Sequence, residues 1–236
     1  LETRVHEGNF TIVSSGHAGV AHAIQHARTQ LSDGRWERCV VVAVDSLVET
    51  TALSRIDAQK RLKADDNPVG LRPGEAGGFL LIERALDAEK RGANILGVIS
   101  DVSTGFDSNH LESQNPGVGQ GMAETLGGLR ALNTIQQAPV LVVDLNGEVF
   151  RSRDFGFTLQ RTAMSLPQLR DAGSTYPATA FGDTGAVSGL IGICMAISGM
   201  QRDYWGSEHA LILSSSDSGA RGGVLASRYT KEVIAQ

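Results

Sequence analysis

The run CVVVAV at residues 39–44 sets the tightest limit on what this chain can become. It does not alternate polar with apolar positions, so a strand written this way has no solvent face. It suits a sheet covered on both sides, as in parallel or layered architectures. GGFLLIE (77–83), NILGVISDVST (94–104), APVLVVDL (138–145) and ALILSSS (210–216) are further strand-like runs, and a last strand is expected near 223–228. Helical patterns lie between them. Val20, Ala21, Ile24, Ala27 and Leu31 share one face over 17–32, and Gly34 ends that run. Further helices are expected over 51–63, 84–91, 120–136, 153–165 and 185–201, with polar, irregular stretches at 48–72 and 105–119. Helices alternating with buried strands predict a layered α/β fold. No internal repeat is convincing in the sequence.

Composition narrows the function classes. Hydrophobic residues make up 41% of the 236, enough for a core, and the formal net charge is −5. Lys and Arg are scattered. Their tightest cluster, Lys60–Arg61–Lys63, runs into Asp65 and Asp66. A phosphate-binding face needs concentrated positive charge, so no nucleic-acid partner is expected. No apolar run is long enough for a bilayer, and no membrane partner is expected. Cys39 and Cys194 sit in apolar surroundings without a CxxC spacing, which reads as two buried structural thiols in a reducing compartment. With no charged-then-apolar leader in view, the expected location is cytoplasmic.

Four stretches, in order, resemble the β-ketoacyl synthases, the condensing enzymes of the thiolase superfamily. They are TIVSSGHAGVAHA with the following LSDGRWERCVVVAVDS; LRPGEAGGFLLIERALDAEKRGANILGVI; FGDTGAVSGLIGICMAI; and ALILSSSDSGARGGVL. The resemblance implies an αβαβα layered thiolase-like fold that is incomplete at its N-terminus. Residues 1–93 would be the remainder of the N-terminal half and 94–236 the C-terminal half. It also implies acyl-transfer chemistry of the 3-oxoacyl-carrier-protein synthase type, with no cofactor and no metal. An acyl-carrier protein or acyl-CoA would be the small partner. A homodimer, or a heterodimer with a ketosynthase-like subunit, would be the large one, pairing residues 8–14 across a two-fold axis. NFTIVSS and CVVVAV would be strands in need of sheet neighbours, supplied by an upstream segment or a separate subunit.

The same resemblance marks the reactive positions. The family's nucleophilic cysteine falls on Val13, its two histidines on Asn146 and Asp183, and its lysine on Ala178. A condensing enzyme needs a thiolate and two bases, and none of these residues can supply them. Ser14 and Ser15 are the alternative nucleophiles, although their preferred reading is as hydroxyl caps of the following helix. The histidines are His6, His17, His22, His26, His110 and His209. His22 and His26 have metal-ligand spacing but lack an intervening glutamate or a second cluster, so core or surface placement is preferred. Asp144, Glu148 and Asp183 could gather as acid/base carboxylates; caps or turns are the preferred reading. SSSDSGARGG (214–223) reads as a strand-joining turn and not a phosphate loop.

Three functions therefore stand. The first is a catalytically degenerate ketosynthase-like binding or assembly subunit. The second is an active acyltransferase or hydrolase using Ser14, Ser15 or the carboxylates. The third is an unrelated α/β ligand-binding module.

Overall fold

The computed structural model describes residues 10–113 and 115–231. A three-residue 3-10 turn, Gly16–Ala18, leads into α1 (Gly19–Ser32). Then come β1 (Arg38–Ser46), α2 (Thr50–Ala58), β2 (Glu75–Glu83) and α3 (Ala85–Lys90). The chain continues through β3 (Val98–Phe106), α4 (Gln120–Gly127), β4 (Val140–Val143), α5 (Val149–Thr162), β5 (Ser174–Thr175) and α6 (Ala178–Phe181). A second 3-10 turn, Gly185–Val187, enters α7 (Ser188–Gln201), followed by β6 (His209–Ser215) and β7 (Ala220–Ser227).

The strands form two sheets. One is five-stranded in the order β3-β7-β6-β4-β5. It is mixed: β7 is antiparallel to both β3 and β6, and β4 is parallel to both β6 and β5. The other sheet holds only β1 and β2, antiparallel, with Ala43 opposite Gly78. α1 and α7 lie between the sheets. Val20, Ala21, Ile24 and Ala27 from α1 and Leu190, Ile193 and Ala196 from α7 join Val41 and Ala43 of β1 and Ile212, Val224 and Ala226 of the large sheet in one core. A second core fills the other side of the large sheet. Leu211, Leu213 and Leu225 pack there against Met122 and Leu126 of α4, and against Leu129 and Leu132.

The two sheets have the same local construction. Each strand pair follows a 14-residue helix entered through a 3-10 turn whose glycine has positive φ: Gly16 at 51° and Gly185 at 56°. The contacts are reciprocal. Ser216, just past β6, lies over Gly16, and Asp45, near the end of β1, lies over Gly185, so a side chain at either glycine would collide as well as strain the backbone. Gly222 of β7 meets Ala21 of α1, while Gly78 of β2 meets Leu190 of α7. Even the registers agree, since Ser214 faces Gly222 as Ala43 faces Gly78. A two-fold repeat that the sequence hides is plain in the structure.

Several expectations change. CVVVAV and GGFLLIE are strands but not doubly buried: Val42, Val44 and Phe79 are 66%, 75% and 69% exposed, because nothing among the described residues covers that face. Thr11–Val13 forms no strand, and Phe10 and Ile12 are exposed; the preceding residues, His6 included, lie outside the described ones, as does part of the expected 8–14 dimer contact. Cys39 is half-buried and Cys194 exposed, so the pair is not buried as expected. The helix expected over 120–136 stops at Gly127, where Gly127 and Gly128 weaken it, and only a 3-10 turn at Ala131–Asn133 follows. α5 begins at Val149, four residues early, and β5 is too short for any pattern to announce. No described helix is long and apolar enough to cross a membrane.

Candidate functional site

Three turns converge where the two halves of the repeat meet: the turn entering α1, the loop from β4 to α5, and the turn entering α7. The first brings His17, the second Asp144, Asn146 and Glu148, the third Asp183. All five are buried. His17 Nε2 lies 2.7 Å from Asp183 Oδ1. Asn146 Nδ2 donates to Asp183 Oδ2 at 2.7 Å and to Glu148 Oε2 at 2.9 Å. The Gly185 amide donates to Asp183 Oδ1 at 2.9 Å. Both oxygens of Asp183 are therefore engaged.

Two arginines hold the carboxylates together. Arg151, in the first turn of α5, reaches Asp144 (3.2 Å), Asp217 (2.7 Å) and the Ser215 carbonyl (2.5 Å), and its Nη2 is 3.3 Å from His17 Nδ1. Arg61 crosses from the loop after α2 to bind Glu148 through two nitrogens (2.6 and 2.8 Å), and meets Asp217 at 2.9 Å. Burial by itself would pull His17 down, but the adjoining Asp183 carboxylate outweighs it and holds the imidazole above its ordinary value. Burial would likewise raise Asp183, yet His17, Arg151 and the Asn146 amide keep it well below the usual carboxylate range. Asp217 is lowered in the same way, burial being outweighed by Arg151 and Arg61.

A second buried centre stands beside this one. Arg221 is wholly enclosed, 3.4 Å from Asp154 and 3.9 Å from Asp107. Those two carboxylates accept the Gly119 and Gly121 amides, both at 2.8 Å, and so anchor the start of α4.

The structure thus joins Asn146 and Asp183 as direct partners and brings Asp144 and Glu148 to them. The carboxylates stand in turns, as the preferred reading had it, and they also gather: arginines hold Asp144 and Glu148, while His17, Asn146 and the Gly185 amide hold Asp183, and Glu148 starts α5 without capping it by its side chain. Val13 is half-buried and brings only methyl groups. The capping reading of the serines also fails. Ser15 precedes the 3-10 turn without a side-chain cap, and no hydrogen bond of the Ser14 or Ser15 hydroxyl is found among the described residues. Gly16 sets the turn's direction instead. Ala178 begins the short α6. His26 packs edge-on against Trp36 on α1's outer side, away from this cluster. The 214–223 stretch is the β6–β7 turn, as expected, and its Asp217 feeds the cluster.

Sequence reasoning missed His17, Arg151, Arg61 and Asp217. Only His17 carried a local signal, as the histidine inside the quoted SSGHAG turn. The others converge from distant segments.

This arrangement is rich in charge and poor in reactive groups. It has an imidazole and four carboxylates, all paired, around a turn whose first candidate position is an alkyl side chain. The two sheets, the two sandwiched helices and the turn-borne site point to one family of folds, and comparison with known structures agrees. A type II polyketide acyl-carrier protein in complex with its ketosynthase bound to the hexaketide matches with a TM-score of 0.80 at 14% identity, over 92% of this chain and 62% of that one. The ketosynthase from module 6 of the bacillaene synthase of Bacillus subtilis 168 matches at 0.75 and 16%, over 92% and 46%. A β-ketoacyl synthase from Burkholderia phymatum STM815 matches at 0.73 and 17%, over 92% and 61%. This chain has the fold of the ketosynthases. At the sequence level, 3-oxoacyl-[acyl-carrier-protein] synthase 2 of Mycobacterium leprae (strain TN) is 30% identical over 129 residues, 49% of this chain and 30% of that protein. No family profile matches the chain. The chain spans under a third of that curated relative and about half to three-fifths of the solved ketosynthases. The fold match removes an unrelated fold from the third reading, the α/β ligand-binding module.

Proposed function

We propose that this ketosynthase-like chain is catalytically degenerate and serves as a cytoplasmic binding or assembly subunit of fatty-acid or polyketide type. Its partners would be a ketosynthase-like subunit and an acyl-carrier protein. One observation carries the reading. Asp183, at the place of the family's second histidine, has both oxygens committed to His17, Gly185 and Asn146. A group so engaged holds the turns together; it does not shuttle protons. Val13 at the nucleophile position and Asn146 at the first histidine's fit the same account. Support for carrier binding is by likeness only, since one solved structure of this fold holds a ketosynthase with its carrier protein.

The serine reading has weaker support. An activated serine needs a base within hydrogen-bond reach. The nearest histidine in sequence, His17, already faces Asp183 and Arg151 through its ring nitrogens. The boundary between residues 93 and 94 belongs to the proposal as well.

Intact-mass spectrometry after incubation with acyl-CoA and with acyl-carrier protein tests both readings. The expected result is no covalent acyl increment, together with measurable carrier-protein binding. An increment mapping to Ser14 or Ser15 supports the enzyme reading and ends the degenerate one. Val13→Cys alone is expected to leave malonyl condensation undetectable, because nucleophile and bases act as a unit.

A further inference from the structure

We propose that Ser100, Ser227 and His209 form a proton relay that makes Ser100 a nucleophile towards small carboxylic esters. The activity is separate from the turns around Asp183. His209 opens β6 and Ser215 closes it, which sets the relay about 20 Å along the strand from that network. The inference does not rest on the reading of the reactive positions.

Strand register builds the group. β6 and β7 are antiparallel, and His209 stands directly opposite Ser227. Side chains opposed in this way lie within about 5 Å of each other. Here His209 Nδ1 is 2.9 Å from Ser227 Oγ. Ser207 fixes the start of β6 by accepting the His209 amide (3.3 Å) and donating to the Ala138 carbonyl (2.9 Å). The third member comes from an irregularity. On the other side of β7, Ile99 pairs with Ala226 and Asp101 with Leu225, so Ser100 is an extra residue in the ladder. A bulge of this kind re-aims a side chain, and Ser100 Oγ comes within 2.6 Å of Ser227 Oγ. The neighbours of Ser100 are occupied elsewhere. Ile99 packs against the core between the sheets. Asp101 is held by Arg28 (2.6 Å) and the Ala131 amide (3.0 Å).

Hydrogen positions follow from charge. Burial holds the His209 imidazole below its ordinary value against the weaker opposing pull of Glu208, so the ring is neutral at pH 7. Glu208 is itself paired with Arg228 at 2.9 Å. With its hydrogen on Nε2, the neutral ring accepts the single hydrogen of Ser227 at Nδ1. Ser227 Oγ is then left to accept from Ser100, whose own hydrogen points along the relay. Ser227 is buried, while Ser100 and His209 are partly exposed. The outer hydroxyl meets solvent and the linking one is shielded from it. A hydroxyl becomes a nucleophile when a base takes its proton in this manner.

The chemistry balances without a further reagent except water. Ser100 Oγ bonds to the ester carbonyl carbon. Its proton passes to Ser227 as the Ser227 proton passes to His209. The bond to the leaving alkoxide breaks, and the alkoxide takes the proton back along the same path. Water, deprotonated in the same way, then cleaves the acyl-serine, releases the carboxylic acid and restores Ser100.

A fluorophosphonate probe, which bonds to an activated serine with loss of fluoride, tests the relay on the folded chain. Peptide mapping is expected to place the adduct on Ser100, and unfolding in urea to abolish it. His209→Gln and Ser227→Ala are each expected to slow labelling by at least about a hundredfold. Hydrolysis of p-nitrophenyl acetate by the unaltered protein gives a readout that needs no variant. Its rate is expected to rise with pH through a value below 6.5 and then level off as His209 becomes neutral; Ser100→Ala is expected to remove that rise. No adduct on Ser100 overturns the proposal. So does labelling as fast in His209→Gln as in the parent, or a hydrolysis rate with no such step in pH. An adduct on Ser14 or Ser15 in place of Ser100 overturns it too, and supports the serine reading of the other site.

Discussion

β1–β2 and β6–β7 are built alike and end differently. Each follows a 14-residue helix, and each presents one apolar face to the shared core between the sheets. β6–β7 is flanked on both edges, roofed by helix, and tied at its turn by Arg151 and Arg221. β1–β2 is bare on both edges and on its outer face. Strand-forming sequence is thus not what buries a strand. Valine-rich runs make extended backbone; the remainder of the sheet and its helices decide whether that backbone is inside.

The largest expected effect lies in the tied half. Arg151→Met leaves buried Asp144 and half-buried Asp217 without their main counter-charge, and removing one partner of a buried pair costs about 3–5 kcal/mol. A urea melt is expected to show that loss. A variant as stable as the parent would mean that the network tolerates unpaired charge and that the contrast between halves is not electrostatic.

Next comes a matched pair of truncations. Leu211→Ala removes a fully buried side chain and is expected to cost about 2–5 kcal/mol. Val40→Ala, its counterpart in the repeat, is 56% exposed and is expected to cost within about 0.5 kcal/mol. Equal losses would show that β1's outer face is covered in solution and would break the comparison.

The two glycines sharpen it from the other side. Gly16→Ala and Gly185→Ala both force a side chain into positive φ against a neighbouring residue, Ser216 in one case and Asp45 in the other. Each is expected to destabilise by about 1–3 kcal/mol. Similar values from thermal melts support the two-fold relation; a cost at only one site would confine it to backbone likeness.

How much of this was legible in the sequence follows from the range of each signal. CVVVAV and VLVV announced strands because β-branched runs act locally, and α1 announced itself by its one-sided spacing. Burial of Val42 was misjudged because it depends on what covers the sheet, which no local run of residues announces. The repeat was invisible because it conserves shape, with Ala21 standing for Leu190 and Val40 for Leu211. At the site, Asn146 and Asp183 were reached through family likeness, and their contact is real. Arg61, Arg151 and Asp217 were missed because no spacing rule links a loop, a helix start and a hairpin turn. His17 was passed over because a lone histidine is more often inert.

The smallest effect isolates that histidine. The ordinary imidazole value is 6.5, and His17 is raised above it in the folded chain. Its pairing therefore adds stability that is fully present below about pH 6.5 and is lost as pH rises through the raised value. Asp183, lowered from 3.8, adds stability present above that value and lost as pH falls further. Their contributions coexist in a window between about pH 4 and 6.5. His22 and His209 act the other way: burial lowers both, so each favours the folded chain as pH rises. The whole-protein profile mixes these slopes, and the difference between wild type and His17→Gln separates them. That difference is expected to shrink from pH 6 towards pH 9, measured as urea midpoints at fixed ionic strength. A difference that stays flat would place His17 neutral beside Asp183, and Arg151 would then carry the carboxylate's charge alone. A difference that widens with pH would reverse the sign altogether and would mean that Arg151, 3.3 Å from the ring, governs its protonation in place of Asp183.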